Sequence, residues 1–453
     1  MITFLFASLF SISAMAQETT PDLRSTLPVN DIDFVCVPQA KADQFKRDFN
    51  INTNSFGGME LCKNTVDTKK LFNDLILLEE GKFGTVPANN LIRGFVPIDQ
   101  YYSWMKSATR GIERGNDVPY ATAYNSGGYF TMQDGWAALS TLGRVGTVVH
   151  EARHTQGYYH INCNQGPYLG TSVLGCDRDY SYGGSHAIEM EYYARVSTAG
   201  VNFHPVYKKM ARLMAMGRSN IFFNQTPLKQ REALILLGQS GRAYLMDQNK
   251  WLNREAPAVQ ARLKRSSFGA TLLSGSMAFV LDPFENSGFD WSVNDDFSYF
   301  KLLNSDRLQG QNIRDFEEFD IGRKRHVFVL SDKNQYTNFN FRGGNWNRLI
   351  NTPPGQTFDF ATWTPEGEPG FFLVDQDKKM YAIDAERLTT RPIAATWPRE
   401  AKAYAKAAGG FYQLNARGEL SLVQSGSLIP VTSPEPIDQM VSIPLYDSFE
   451  VKP

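Results

Sequence analysis

The spacing of apolar residues divides the 453-residue chain into two parts with different predicted structure. Up to about residue 225, helical and strand patterns are mixed. Apolar residues recur at helical spacing in QAKADQFKRDF and TVDTKKLFNDLILLEEG. By contrast, YATAYNSGGYFTM alternates and carries β-forming residues on both sides of Gly127 and Gly128, which is typical of a strand or hairpin at a sheet edge. These patterns predict an α+β domain over residues 33–225.

Two further helices are predicted in this domain. The first begins at Asp134, which is suited to cap it, and ends near Gly157. Its apolar stripe consists of Trp136, Leu139, Leu142 and Val149. The second lies in SHAIEMEYYARV, where Ser185 can act as the cap and Ala187, Ile188, Tyr192 and Val196 recur at helical spacing.

Residues 226–453 show a repeated β pattern. Five segments share an apolar β-run, a polar turn and a second apolar β-run: ALILLGQSGRAYLMD, MAFVLDPFENSGFDW, HVFVLSDKNQYTNF, FFLVDQDKKMYAID and FYQLNARGELSLV. Leu237, Leu281, Leu330, Val374 and Leu414 occupy equivalent places, at intervals of about 40–50 residues. This period predicts an all-β domain, a β-propeller of about five blades. An irregular β-sandwich or tandem hairpins are the alternatives, because no WD or kelch consensus recurs.

The N-terminus predicts export. MITFLFASLFSISAMA, residues 1–16, is a short apolar run ending in a small-x-small site, and it resembles a signal peptide cleaved before Gln17. Residues 17–32 are polar and read as a flexible leader. The apolar run is too short to span a bilayer, and no other segment is long and apolar enough. We therefore expect a secreted or periplasmic protein without a membrane span.

Charge and cysteine content bear on the binding partners and on the cellular compartment of the protein. The formal net charge is -1, so no global basic surface indicates nucleic-acid binding. The four cysteines allow three pairings, of which the local one, Cys36 with Cys62 and Cys163 with Cys176, is favoured because short loops close easily. Disulfides within these pairs suit an exported protein. A thiolate metal site is the alternative, but the spacing lacks the usual C-x-x-C pairs.

The segment HEARHTQGYYHINC, residues 150–163, contains the candidate metal ligands and the candidate general base. His150 and His154 are four residues apart, so on a helix they share one face and can bind one metal ion. Glu151 can reach the open coordination position. This H-E-x-x-H arrangement is typical of zinc hydrolases, in which the metal activates water and the glutamate acts as general base.

The extended motif resembles the metzincin family of zinc metallopeptidases. Gly157 and His160 complete H-E-x-x-H-x-x-G-x-x-H, and the resemblance implies zinc on His150, His154 and His160. It also implies a methionine turn, for which Met190 and Tyr192 have the M-x-Y spacing. Tyr192 is then a weaker candidate for stabilising the oxyanion.

A gluzincin-like arrangement is the alternative. In that case SHAIEMEYYARV forms a helix, and Glu189 is the third zinc ligand, with His186 and Glu191 behind it. The bland interpretation is that both glutamates lie on a solvated helix face. By the same default Arg153 faces solvent.

The surroundings of the motif suggest a cleft. The strand GGYFTM, residues 127–132, precedes the motif helix, and in zincins the edge strand there holds an extended substrate. An ordinary edge strand is equally compatible. Tyr158, Tyr159 and Tyr168 are candidates to line the cleft, although packing is the commoner role of such residues.

Together these features predict a secreted zinc metallopeptidase acting on a protein or peptide, with a C-terminal domain that binds an unknown ligand. A zinc amidase acting on cell-wall peptide is a second enzyme interpretation. A binding or adhesion protein with a structural or degenerate zinc site is the rival from another class.

Overall fold

The computed structural model describes residues 36–453, apart from residues 64–66, 87, 98–99, 119–120, 138, 167, 171, 258–259, 267–268, 275–276, 291–312, 322–323, 332–335, 340–347, 351, 353–355, 385–386 and 388. The predicted signal peptide (1–16) and the leader (17–32) lie outside the described residues. Among the helices in the described ranges, none has both the length and the apolar character needed to cross a bilayer.

The first part of the chain begins with three helices: α1 (Gln39–Phe49), α2 (Asp67–Glu80) and α3 (Tyr101–Ala108). The first two are the helices predicted from apolar spacing, and both predictions are confirmed. Asn50 ends α1 in a left-handed conformation. Helix α2 is buried along most of its length because other helices pack against it.

A three-stranded sheet follows, made of β1 (Gly111–Arg114), β2 (Ala123–Ser126) and β3 (Tyr129–Met132) in the order β1-β3-β2. Strands β2 and β3 form the predicted hairpin, with Gly127 and Gly128 in its turn at positive φ. The prediction that residues 127–132 form the edge strand is wrong. Strand β3 is central because it also pairs in parallel with β1, and the edge strands are β1 and β2.

The predicted long helix from Asp134 is divided in two. Residues Asp134–Ala137 form only a short helix, α4, and the motif lies on α5 (Thr141–His154). Ser140 caps α5, since its hydroxyl accepts a hydrogen bond from the Gly143 N–H at 3.2 Å. Asp134 therefore does not cap the motif helix.

The chain then forms the short hairpin β4 (Ile161–Asn162) and β5 (Leu174–Cys176), followed by α6 (Ser185–Ala199) and α7 (Pro205–Ile221). Helix α6 confirms the predicted helix, although Gly184 rather than Ser185 is its cap residue. Met190 is buried within α6, so it does not lie in a turn. His204 caps α7 by accepting from the Val206 N–H. Both predicted disulfides, Cys36–Cys62 and Cys163–Cys176, are present.

The rest of the chain is a series of antiparallel sheets. Within the described residues, five sheets have four strands each, and their strands are as follows. The first contains β6 (Gln230–Gly238), β7 (Ala243–Asp247), β8 (Lys250–Arg254) and β25 (Ile437–Tyr446); the second contains β9 (Arg262–Ser266), β10 (Gly269–Ser274), β11 (Met277–Leu281) and β12 (Phe289–Asp290); the third contains β13 (Ile313–Ile321), β14 (Lys324–Ser331), β15 (Tyr336–Phe339) and β16 (Arg348–Leu349). The fourth contains β17 (Phe358–Trp363), β18 (Pro369–Asp375), β19 (Lys379–Asp384) and β20 (Thr389–Thr396), and the fifth contains β21 (Ala401–Ala407), β22 (Gly410–Asn415), β23 (Leu420–Gln424) and β24 (Ser427–Val431).

Each of the five repeated segments supplies two neighbouring strands of a different sheet. In four of the five sheets the equivalent residue lies in the second strand, counted from β25, β13, β17 or β21. These residues are Leu237, Leu330, Val374 and Leu414. Counted from β9, Leu281 instead lies in β11, the third strand of its sheet. The predicted equivalence of Leu281 is therefore wrong by one strand.

The sheets contact one another in a cyclic order. Strand β9 contacts β25 and β13, β13 contacts β18, β17 contacts β21, and β21 contacts β25. Strand β25 pairs with β6 along its whole length, from Ile437 opposite Gly238 to Tyr446 opposite Gln230. The end of the β region is thereby joined to its beginning.

The helical part and the first sheets share one hydrophobic core. This core runs from Phe45 and Leu75 through Met210 to Ile235 and Leu263. Burying each large apolar side chain contributes roughly 1.5–3 kcal/mol. Ion pairs reinforce the junction, because Arg212 of α7 binds Asp282 and, at 3.1 Å, Glu285. The two parts are therefore packed together.

Candidate metal centre

Helices α5 and α6 bring the motif and its partners together because they approach closely. At Gly146 of α5 an added Cβ would overlap the hydroxyl of Tyr193 and lie 3.0 Å from Glu189 Oε1. Glycine at this position therefore permits the helix contact. Helix α5 ends at His154, and the chain reverses at Gly157, whose φ of 86° favours glycine. The reversal returns His160 to the face of α5 that carries His150 and His154.

The three histidines of the motif converge through the same ring nitrogen. His150 Nε2 lies 3.0 Å from His160 Nε2 and 3.2 Å from His154 Nε2. Zn–N bonds of about 2.0–2.1 Å in a tetrahedral site place ligand nitrogens roughly 3.3 Å apart. The donor set therefore fits a zinc ion, and its ligand atoms all lie within 4.8 Å of one another.

The opposite nitrogen of each imidazole faces an oxygen atom. His160 Nδ1 lies 3.2 Å from Asp177 Oδ1, His150 Nδ1 lies 3.5 Å from Glu189 Oε2, and His154 Nδ1 lies 2.6 Å from the Tyr158 carbonyl. Such contacts keep the proton on Nδ1 and leave Nε2 free to bind a metal.

Asp177 is a site residue that the sequence interpretation missed. Its second oxygen accepts from the N–H groups of His186 and Ala187 at 3.0 and 3.1 Å, in the first turn of α6. Asp177 lies 17 residues after His160, and no motif spacing marks it. Its only sequence signal is that it follows Cys176, whose disulfide with Cys163 fixes the hairpin β4–β5 next to His160.

Three of the imidazoles, those of His150, His154 and His186, favour the neutral form. Burial, and next the proximity of the His150 and His160 imidazoles, lowers the pKa of His154 to about 2. Burial also lowers the pKa of His150, and burial with the neighbouring imidazoles lowers that of His186 to about 3. Neutral imidazoles are the form that binds metal ions.

Glu151 is buried beside these histidines. Its Oε2 has no hydrogen-bond partner among the described residues, and its side chain lines the same cavity. Burial, and to a lesser degree the charge of Glu189, raises its pKa to about 8. A carboxyl group with this pKa exchanges its proton near neutral pH, as a general base requires.

Glu189 lies behind His150 rather than on a solvated helix face. Burial alone would raise its pKa, but the Arg218 charge, followed by the adjacent imidazoles of His150 and His186, holds that pKa well below its usual range. Its Oε1 accepts from Arg218 Nη2 at 2.7 Å and from the Tyr193 hydroxyl at 3.0 Å. His150, His186 and Glu189 form a second set of potential ligands within the same distance limit, and this set shares His150 with the first.

Other residues predicted around the motif lie elsewhere. Tyr192 is buried in α6 against Tyr101 and Phe83, with ring centroids 4.9 and 6.3 Å away, and it does not line the cavity. Glu191 is also buried, and its carboxylate accepts from the backbone N–H groups of residues 93–95. Arg153 does not simply face solvent, since it donates to the Gly183 carbonyl at 2.7 Å and covers the ring of Tyr158.

The cavity has a volume of about 450 Å³ and is bordered by the edge strand β2. Ala123, Tyr124 and Asn125 of β2 form one side. Tyr159 and Tyr168 line it as proposed from the sequence, whereas Tyr158 does not. Tyr159 stands at the mouth with 70% of its surface exposed. The strand that borders the cavity is therefore β2, and not the predicted strand at residues 127–132.

Comparison with known proteins adds little. No family model matches the chain, and no curated protein matches it in sequence. Among solved structures, apo AztD from Citrobacter koseri is similar at 10% identity with a TM-score of 0.24, over 48% of this chain and 98% of the other. A second AztD structure from the same organism has 11% identity and a TM-score of 0.20, over 47% of this chain and 60% of the other. Likenesses this slight carry no argument about the site.

Proposed function

We propose that the protein is a zinc-dependent metallopeptidase. One observation carries the proposal: three converging imidazole Nε2 atoms and the unpartnered carboxyl oxygen of Glu151 open onto the same cavity. His150, His154 and His160 would hold the ion. Bound there, Zn²⁺ supplies a Lewis acid that polarises a carbonyl group.

Glu151 would move the proton in this reaction. It accepts a proton from the attacking water at Oε2, holds it in the buried cavity, and returns it to the leaving amine. The raised pKa of Glu151 supports both transfers, because the protonated and ionised forms are close in free energy near neutral pH. Asp177 and Glu189 are positioning residues that orient His160 and His150.

Strand β2 would bind the substrate backbone. The Thr122 carbonyl accepts from the Gln133 N–H, so the alternation of an antiparallel ladder directs the backbone groups of Ala123 and Asn125 away from β3. These groups can pair with an extended peptide that enters along the cavity. A polypeptide substrate therefore suits the site.

Glu151 separates the enzyme from the rival interpretations. A purely structural metal site in an adhesion protein has no use for a buried, unpartnered carboxyl group beside its first ligand, because such a group costs free energy. An amidase acting on cell-wall peptide would use the same residues. A substrate panel containing both unmodified peptides and peptidoglycan fragments distinguishes the two enzymes.

We also propose that the five sheets form a five-bladed β-propeller that binds a partner. The cyclic contacts and the pairing of β25 with β6 support closure of the ring. The two disulfides support export to an oxidising compartment, secreted or periplasmic.

The test combines metal content with hydrolysis. We expect the purified protein to bind one zinc ion per chain and to hydrolyse peptides, and Glu151→Gln to retain zinc while losing about 10²–10⁴-fold in kcat. We expect His160→Ala to bind zinc far more weakly. Unchanged zinc affinity in His160→Ala would instead favour the second ligand set, His150, His186 and Glu189. If the zinc-loaded protein hydrolysed none of the substrates in the panel, the proposal that it is an enzyme would be refuted.

A further inference from the structure

Helix α6 and the end of α7 form one wall of the cavity, and this wall carries a buried ion pair. Glu189 lies on α6 and Arg218 on α7, and Arg218 Nη2 donates to Glu189 Oε1 at 2.7 Å. Both residues line the cavity together with Thr147 and Phe222. The pair adjoins the metal centre, because the other oxygen of Glu189 lies 3.5 Å from His150 Nδ1.

The two ends of the pair differ in access. The Glu189 side chain is 2% exposed, whereas the Arg218 side chain is 26% exposed. The carboxylate is therefore almost fully covered, and the guanidinium is the more accessible member of the pair. Its position is fixed, since the guanidinium carbon lies 4.9 Å from the centre of the Phe222 ring, which itself stacks on His186.

A guanidinium held in this way is suited to bind a carboxylate. It has five N–H donors in a planar fork, and its hydrogen bond to Glu189 uses one nitrogen, Nη2, while Tyr193 lies nearby. Anchoring by Glu189 and Phe222 reduces the conformational entropy lost when the side chain binds a ligand. Thr147, the neighbouring polar group on α5, already donates to the Gly143 carbonyl. Arg218 is thus the cationic donor in this wall of the cavity.

We propose that Arg218 determines substrate specificity by binding a carboxylate of the substrate close to the bond that is hydrolysed. This inference rests on the proposed peptidase function for its choice of substrate. Two groups of a peptide carry the required chemistry, an acidic side chain and a free C-terminal carboxylate. The first makes the protein an endopeptidase selective for acidic residues, and the second makes it a carboxypeptidase.

The experiment measures binding separately from hydrolysis. The full chain carrying Glu151→Gln, loaded with zinc, is titrated with three fluorescent peptides that differ only at one internal residue and at the C-terminus. They carry internal glutamate with an amidated C-terminus, internal glutamine with an amidated C-terminus, and internal glutamine with a free C-terminus. We expect one carboxylate peptide to bind about 10- to 100-fold more tightly than the neutral peptide. The preferred peptide identifies the source of the carboxylate.

Variants assign the preference to Arg218. Arg218→Met should abolish it, and Arg218→Lys should reduce it while keeping a positive charge beside Glu189. Arg178→Met is the matched control, since Arg178 is 63% exposed and pairs with Asp179 outside the cavity. It should leave the preference unchanged. Circular dichroism and zinc content identify any variant that fails to fold, and Arg218→Lys then decides the question.

Metal removal gives the last comparison. With zinc removed by chelation, a carboxylate bound by Arg218 retains an Arg218-dependent preference, whereas one bound only by the metal loses it. Equal binding of all three peptides, or a preference that persists in Arg218→Met, would overturn the proposal. If the wild-type protein hydrolyses no peptide but the preference depends on Arg218, the carboxylate site stands and the peptidase function fails.

Discussion

Replacing Asp177 by asparagine would test whether the metal centre depends on the contacts behind its ligands. The substitution keeps the shape of the side chain and removes its charge. Asp177 accepts at 3.2 Å from His160 Nδ1 and at 3.0 and 3.1 Å from the first N–H groups of α6. Asparagine has one oxygen, so it can serve one of these two groups of donors at a time.

The expected effect has two parts. Partners of metal-binding histidines are worth about 10- to 100-fold in metal affinity, or roughly 1.4–2.7 kcal/mol. Hydrogen bonds to a charged acceptor contribute about 1.5–3 kcal/mol to stability, so the metal-free variant should also unfold more easily. Although burial raises it, the pKa of Asp177 is lowered overall, chiefly by the hydrogen bond to His160, which indicates an ionised carboxylate.

Competition with a chelating dye measures the zinc affinity, and urea unfolding measures the stability. Asp179→Asn is the control, because Asp179 lies in the same loop, caps the turn Tyr180–Tyr182 and contacts none of the three motif histidines. If Asp177→Asn bound zinc as tightly as the wild type while His160→Ala did not, our account of how His160 is oriented would be refuted.

Three further predictions concern stability. Because burial raises the pKa of Glu151 from 4.5 to about 8, the metal-free folded state holds a proton that the unfolded chain releases. Its stability should fall between these pH values, by up to about 1.4 kcal/mol per pH unit, and denaturation of Glu151→Gln across pH should show a smaller fall; equal slopes would contradict the burial argument. The double change Cys163→Ser and Cys176→Ser should cost roughly 3 kcal/mol in thermal unfolding and also weaken zinc binding, so unchanged zinc affinity would show that the hairpin does not position His160. Arg212→Met leaves the fully buried Asp282 without its cation and should cost about 3–5 kcal/mol in urea unfolding, and a loss below about 1 kcal/mol would mean that the junction does not depend on this pair.

Local patterns in the sequence predicted the helices and the histidine cluster well. The i and i+4 positions of His150 and His154 fix their shared face on any helix, and Gly157 supplies the reversal that returns His160. The periodic β segments were also recognised, because each pair of strands is local in sequence. The displaced equivalence of Leu281 arose because a single hairpin does not reveal which strand of a sheet it begins with.

The contacts behind the ligands could not be predicted in the same way. Asp177, Glu189 and Arg218 reach the site from elements that are distant in sequence, and their roles depend on how α5, α6 and α7 pack. A glutamate on a helix is usually solvated, whereas the close approach of α5 at Gly146 contributes to the burial of Glu189. Tyr192 failed as a site residue for the same reason, since its face of α6 turns into the core.

The pairing of β25 with β6 has a consequence for how the chain folds. Residues 230–238 cannot complete their sheet until residues 437–446 arrive, so the first strand of the region is held back by the last. This contact has a very high sequence separation, and such topologies fold slowly because loop closure precedes the stabilising contacts. The local helices α1 to α7 do not wait for it. We therefore expect refolding in two kinetic phases, a fast helical phase followed by a slow closure phase that deletion of β25 would abolish.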